Sequence, residues 1–175
     1  EGESNKTPPV HLKMLDKVAN SVSNYIANLC FRGAAKTTLF MEYFVLYIAM
    51  FGYLPGTGKV EGMIYVSDSM DNGVKSARKN IEFRYFNSPF LQKWIPKATF
   101  TDNYLEFENV EGKMFIIKGY GAKTVVRGEK ELCKRPQSAV LDDFISDEDA
   151  RSATVIAAVE DTVYKAVNYA LHPTK

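Results

Sequence analysis

The sequence predicts an α/β fold, a mostly parallel β-sheet covered by helices on both faces with one β-hairpin inserted. Short apolar runs bounded by turn residues alternate along the chain with longer segments of helical period. Those runs are apolar at consecutive positions, as strands covered on both sides are. Beyond residue 103 the period changes, and two strand-like segments, Tyr104–Phe107 and Met114–Ile117, are joined by Glu108-Asn109-Val110-Glu111-Gly112, a hairpin signal.

Taken in order, residues 1–8 read as a loose tail and residues 9–175 as one domain. His11 to Val22 has helical spacing, with Leu12, Leu15, Val18 and Val22 on one side. Tyr25 to Phe31 is a short apolar run that predicts a buried strand, and Arg32-Gly33-Ala34-Ala35 a turn. Lys36 to Phe51 predicts a helix that is apolar all round, ended by Gly52. Pro55 to Gly62 is a glycine-rich loop, Met63 to Ser67 a second buried strand, and Asp71 or Asn72 the cap of a helix reaching Phe86. Asn87-Ser88-Pro89 breaks that helix, and a short one near Leu91–Trp94 stops at Pro96. After the hairpin, Gly119 to Gly128 is loop-like, Ser138 to Leu141 predicts a third buried strand, and Arg151 to Leu171 returns to helical spacing.

Composition narrows the function. A chain of 175 residues, 46% hydrophobic and 25% charged, suits one folded domain with one core. A formal net charge of +1 excludes a strongly basic nucleic-acid coat, so any DNA contact must come from local patches. Two cysteines, Cys30 and Cys133, are too few for a disulfide framework and point to a reducing, cytosolic setting. The polar start, EGESNKTPPV, has no apolar signal segment. The apolar stretch Leu39–Leu54 is about four residues short of the ~20 needed to cross a bilayer. It also contains Glu42, so a buried helix is expected and no membrane partner.

Chemistry enters at Cys30-Phe31-Arg32-Gly33-Ala34-Ala35-Lys36-Thr37-Thr38, between the predicted strand and helix. That is the setting of a phosphate-binding loop. Backbone N–H groups and the positive end of the helix dipole face phosphate, a lysine neutralises it, and a hydroxyl holds Mg²⁺. Lys36 and Thr37 supply the last two. The usual pattern has glycine where Cys30 and Ala35 stand; alanine adds a methyl where backbone usually approaches phosphate, which does not forbid the loop if position 35 keeps φ below zero. The richer-looking Pro55-Gly56-Thr57-Gly58-Lys59-Val60 has no hydroxyl after its lysine and leads into a strand, so it reads as a surface loop.

The complementary acids are Asp142 and Asp143, directly after the Ser138–Leu141 strand. Ligands of open α/β sheets bind at that end of the strands. Asp142 is the candidate for Mg²⁺ and Asp143 for orienting or deprotonating the attacking water, with Glu148 as a fallback. A solvated acidic turn, DDFISDED, is the bland alternative for this segment taken alone.

These residues, in this order, resemble the large terminase subunits of tailed phages. The carriers are the F-R-G-x-x-K-[ST] loop at Phe31–Thr37, Pro9-Val10-His11-Leu12 before a helix, Tyr65-Val66-Ser67-Asp68-Ser69, and Arg127-Gly128 followed by Arg135-Pro136 and the apolar-Asp-Asp strand. The resemblance spans roughly residues 9–165 and implies a P-loop NTPase of the ASCE type. It further implies Mg²⁺-dependent ATP hydrolysis that drives double-stranded DNA into a procapsid, in the host-cell cytoplasm. Implied partners are the portal, the small terminase subunit and further copies in a ring, an isolated fragment being monomeric. By position it assigns Phe31, Arg32, Gly33, Ala34, Ala35, Lys36, Thr37 and Thr38 to the nucleotide, His11 to adenine, and Thr37 and Asp142 to the metal. Asp143, Arg32 and Arg127 are the catalytic candidates, Arg32 sensing the γ-phosphate and Arg127 serving as an arginine finger. The coupling motif and nuclease domain of that family have no counterpart here, so a fragment is expected, without nuclease activity.

Other residues carry less. Phe83, Tyr85, Phe86, Phe90 and Trp94 mix with Arg84 and Lys93, but their helical spacing favours core packing over a base-stacking surface. Lys130, Lys134 and Arg135 form a basic cluster diluted by Glu129 and Glu131, and a loop of mixed charge is favoured over a DNA contact. Cys30 is expected to pack beneath the loop; Cys133 has no local histidine partner, and His172 lies far from His11. Two rivals stand beside the motor. A superfamily-2 helicase would carry D-E-x-[HD], which Asp142-Asp143-Phe144-Ile145 does not match. A degenerate nucleotide-binding module without turnover is suggested by Ala35 and Asp143.

Overall fold

The computed structural model describes residues 6–21, 23, 25–31, 33–122, 135–143, 145, 149–161, 167 and 170–171. A five-stranded sheet has helices on both faces. In chain order the first helix, α1, is Pro9–Asn20; proline fits its first turn, where no intrahelical N–H bond is lost. A π-helical stretch, Thr38–Tyr43, runs directly into α2, Phe44–Phe51. Val45, Leu46, Ile48, Ala49 and Met50 of α2 are buried, and the helix ends on Gly52 at φ +61°, whose N–H bonds Ile48 O at 2.7 Å. The expected surface loop is a small antiparallel hairpin, β1 (Tyr53–Leu54) with β2 (Gly58–Lys59).

The centre of the sheet is β3, Gly62–Ser67, buried from Met63 to Ser67 because helices lie over both its faces. A second π-helical segment, Met70–Val74, opens α3, Lys75–Phe86. Ser69, not Asp71 or Asn72, caps it: its Oγ accepts from the Asn72 N–H at 3.2 Å, the ordinary bond of a serine N-cap. This segment lies hard against the sheet, since a Cβ on Gly73 would sit 2.0 Å from Ser67 Oγ. Next come α4, Pro89–Trp94, then β4 (Lys97–Phe100), β5 (Tyr104–Glu108), β6 (Met114–Gly121) and β7 (Ser138–Leu141). A 3₁₀ turn, Asp149–Arg151, precedes α5, Ala153–Asp161.

The strand order is β4-β5-β6-β3-β7. β6 and β7 flank β3 in parallel, whereas β4-β5 and β5-β6 are antiparallel. The sheet is therefore mixed rather than mostly parallel. The hairpin is no insertion either, because β6 is both its second strand and the long parallel neighbour of β3.

Individual strands also differ from expectation. Tyr25–Phe31 forms no strand: it is not part of the sheet, and Tyr25, Leu29 and Phe31 are 71%, 99% and 73% exposed. β4 is a strand that the sequence reading does not predict. β7 is half-buried rather than buried, because it is the last strand of the sheet and has a neighbour on one side only.

The larger core lies between one face of the sheet and α2, α3 and α4, and joins Met63, Tyr65, Leu105, Phe107, Phe115 and Ile117 to Val45, Ile48, Ala77 and Ile81. On the other face Ile64, Val66 and Tyr120 pack with Val159 of α5 and with Val167 and Ala170. Glu42, in the first π-helical stretch, is 3% exposed and is paired with Arg84 and Asn80 of α3, as a buried carboxylate requires. Arg84 also lies over the Tyr43 ring. No helix among the described residues is long and apolar enough to cross a membrane.

Candidate functional site

The carboxyl ends of β3, β6 and β7 finish level with one another. The Ala122 N–H bonds Ser67 O at 2.7 Å and the Asp142 N–H bonds Val66 O at 2.9 Å, each continuing the strand ladder by one residue. Asp142 and Asp143 therefore stand at the sheet edge, as the sequence predicts.

The helix opening at Lys36 brings its first residues to the same edge. Lys36 Nζ lies 2.5 Å from Asp143 Oδ1 and 3.7 Å from Asp142 Oδ1. The Thr37 hydroxyl donates to Asp142 Oδ2. Two side chains from the start of one helix thus meet two carboxylates distant in the chain. The Asp142 side chain is 11% exposed, whereas Lys36 and Asp143 are 30% and 73% exposed. The hydrogen bond to Asp143 raises the Lys36 pKa above its ordinary value, burial works against this, and the charges of Asp143 and Asp142 add to the rise. Lys36 is accordingly a cation throughout the neutral range.

The backbone before Lys36 is coiled tightly. The Ala34 N–H bonds Phe31 O at 3.2 Å, and Gly33 and Ala35 lie at φ +89° and +52°. The condition under which alanine fits the loop, a φ below zero at position 35, is not met: this position turns the chain into the helix in the left-handed region, where glycine is the unstrained residue. A methyl there costs about 1–2 kcal/mol. Replacing Ala35 by glycine relieves that strain but adds freedom to the unfolded chain, which removes about 0.4–1 kcal/mol. Ala35→Gly is expected to stabilise the protein by roughly 0.5–1 kcal/mol in urea denaturation, and a destabilised variant would contradict the conformation. Asp143, at φ +44°, is also left-handed, which aspartate tolerates better than most residues.

Of the other candidates, Phe31, Gly33 and Ala35 are exposed or partly so, Ala34 is buried, and Thr38 begins the π-helical stretch. Cys30 is partly buried. His11, expected near a base, reaches the loop backbone itself, with Nε2 2.7 Å from Ala34 O. Arg32, Arg127, Glu148, Cys133, His172 and the cluster at Lys130 and Lys134 lie outside the described residues.

Tyr65, Ser67 and Asp68 join this edge, although the sequence reading gives them no chemical role. Burial pushes the Tyr65 hydroxyl up to about 12; a hydrogen bond with Ser67 offsets part of the shift, and the charges of Asp142, Asp68 and Asp143 add to it. Asp68 Oδ1 accepts from the Ser69 N–H at 2.7 Å and from the hydroxyls of Ser67 and Ser69, each at 3.3 Å. The signal for Asp68 is an acid directly after a buried apolar strand, as for Asp142.

The aromatic cluster is partly corrected. Tyr85 is buried and donates to Ile95 O at 2.9 Å, but Phe83, Phe86 and Phe90 are 69%, 60% and 59% exposed. The core-facing positions of α3 belong to Ala77, Ile81 and Tyr85, so Phe83 and Phe86 fall away from the core. Phe83 and Phe90 line a groove of about 480 Å³ with Tyr43, Tyr47, Phe51 and Leu91.

Among the described residues no group of three or more His, Cys, Asp or Glu side chains forms a metal cage. A hydroxyl, two carboxylates and an ammonium at one point suit Mg²⁺ bound together with phosphate, because that ion commonly takes one or two carboxylates and completes its shell with phosphate and water. No family model, curated protein or solved structure matches this chain.

Proposed function

We propose that the chain binds a Mg²⁺–nucleoside triphosphate at this edge and hydrolyses it, and that it is a P-loop ATPase of the DNA-packaging type. One observation carries the reading: Lys36 and Thr37, opening a helix, converge on Asp142 and Asp143 at a strand end. Distant residues of the types that phosphate and Mg²⁺ need are thereby gathered at one point. ATP, rather than another triphosphate, is assigned from the terminase resemblance. So are double-stranded DNA, procapsid, portal, small subunit, ring assembly and the host cytoplasm.

In this reading Lys36 neutralises the terminal phosphates, and Thr37 with Asp142 holds Mg²⁺. Bound there, the ion spreads the charge that develops on the phosphate oxygens. Asp143, exposed and one residue further on, releases Lys36 and accepts the proton of the attacking water as the terminal P–O bond breaks, giving a nucleoside diphosphate and inorganic phosphate. The helix N-terminus adds its dipole.

A second reading, nucleotide binding without turnover, is favoured by the strained Ala35 and by the hold of Asp143 on Lys36. Phosphate release from Mg·ATP, with and without double-stranded DNA, separates the two. The motor reading expects release that DNA stimulates and that Asp142→Asn abolishes. Nucleotide binding with no release under either condition would select the second reading, and no binding at all would remove both.

A further inference from the structure

We infer that His11 is a positioning residue of the phosphate loop, acting on the backbone and not on a nucleotide base. The inference rests on the nucleotide reading above and deepens it. The contact is His11 Nε2 to Ala34 O, 2.7 Å, across 23 positions. A carbonyl oxygen only accepts, so Nε2 carries the hydrogen.

The consequence follows from the rigidity of the peptide unit. The C=O of Ala34 and the N–H of Ala35 share one trans plane and point in opposite directions. Holding Ala34 O toward α1 therefore turns the Ala35 N–H away from α1. That donor has no backbone acceptor among the described residues, and Ala35 is exposed. Gly33 and Ala35 lie in the left-handed region on either side of Ala34. In such a strained loop the peptide plane after Ala34 would rotate unless something fixed it. His11 is itself firmly based, because Met14, one turn on, is 5% exposed and Val18 packs against the main core.

A loop clamp and a base contact differ in what they discriminate. A clamp serves every ligand that carries phosphate, whereas a base contact serves adenine alone. Isothermal titration of the chain with Mg·ATP, Mg·GTP and Mg·tripolyphosphate tests this in wild type, His11→Ala and His11→Gln. His11→Ala is expected to weaken all three by the same factor, roughly three- to tenfold, the worth of one partly buried hydrogen bond. His11→Gln, whose amide N–H can reach the same carbonyl, recovers most of the loss. Hydrogen exchange at residues 33–36 of the free protein rises in His11→Ala and returns in His11→Gln. A loss confined to ATP, no loss in any titration, unchanged exchange, or a glutamine variant no better than alanine would each overturn the inference while leaving the nucleotide reading intact. A wild-type chain that binds none of the three probes removes the nucleotide reading, and this inference with it.

Discussion

Lys36→Ala is expected to lower ATP turnover by roughly two to three orders of magnitude, the cost of removing one preorganised group that stabilises developing phosphate charge. The fold should hardly notice. The Lys36 side chain is 30% exposed and its partner Asp143 is 73% exposed, so the pair is solvent-screened and contributes at most about 1 kcal/mol to stability. Catalysis and folding therefore separate at this residue. Phosphate release should collapse, while the urea midpoint shifts little. Lys36→Arg should not rescue turnover, because a planar guanidinium does not reproduce a compact ammonium on a flexible stem. An alanine variant that hydrolyses ATP within about threefold of wild type would remove Lys36 from the mechanism, since one preorganised donor is worth far more than that.

The same contacts that mark the site also close it. Asp143 is held by Lys36 at 2.5 Å and the Thr37 hydroxyl donates to Asp142, so each group proposed for ligand is paired with another. On the proposed reading, a triphosphate would have to take Lys36 from Asp143, and Thr37 and Asp142 would exchange their mutual hydrogen bond for Mg²⁺. Exposure keeps the first exchange cheap. The left-handed backbone at Ala35 and Asp143 lies on either side of this junction, beside the pairs that a bound triphosphate would break on the proposed reading.

Much of this is legible in the sequence, and each failure has its own physical cause. The helix into Gly52, the strands at Gly62–Ser67 and Ser138–Leu141, and the convergence of Lys36 with Asp142 follow from local apolar runs, capping residues and acids at strand ends. The Tyr25–Phe31 run fails because an apolar segment becomes a strand only when a neighbour supplies hydrogen-bonding partners, which a linear reading does not reveal. Lys97–Phe100 escapes prediction although its alternation and the following Thr101-Asp102-Asn103 turn announce it; the adjoining Pro96 is the stronger local signal and marks a helix end. Phe83 and Phe86 are exposed because Tyr85 and Ile81 take the core-facing positions of the same helix. His11 is found by motif, but its partner is a backbone carbonyl that no motif names.

Phe107→Ala is expected to cost about 3–5 kcal/mol, the range for deleting a buried ring. Phe107 is 0% exposed, pairs directly with Phe115 across β5 and β6, stacks on it at 6.3 Å and meets the Phe100 ring edge-on at 5.6 Å. The loss is therefore both of transferred area and of ring contacts on two neighbouring strands, and no side chain can swing in without leaving its own packing. A domain of this size holds roughly 5–15 kcal/mol in total, so the variant stays folded in the cold but loses much of its margin. At a urea slope near 2 kcal/mol per molar, the midpoint should fall by roughly 1.5–2.5 M. Phe107→Leu, which refills part of the space, should lose less. Turnover per folded molecule should be unchanged at low temperature, because β5 is separated by β6 and β3 from the strand that carries Asp142. A loss below about 1 kcal/mol would mean that the ring leaves no lasting cavity, and the stacked Phe107–Phe115 pair would then not be what joins the antiparallel strands to the parallel ones.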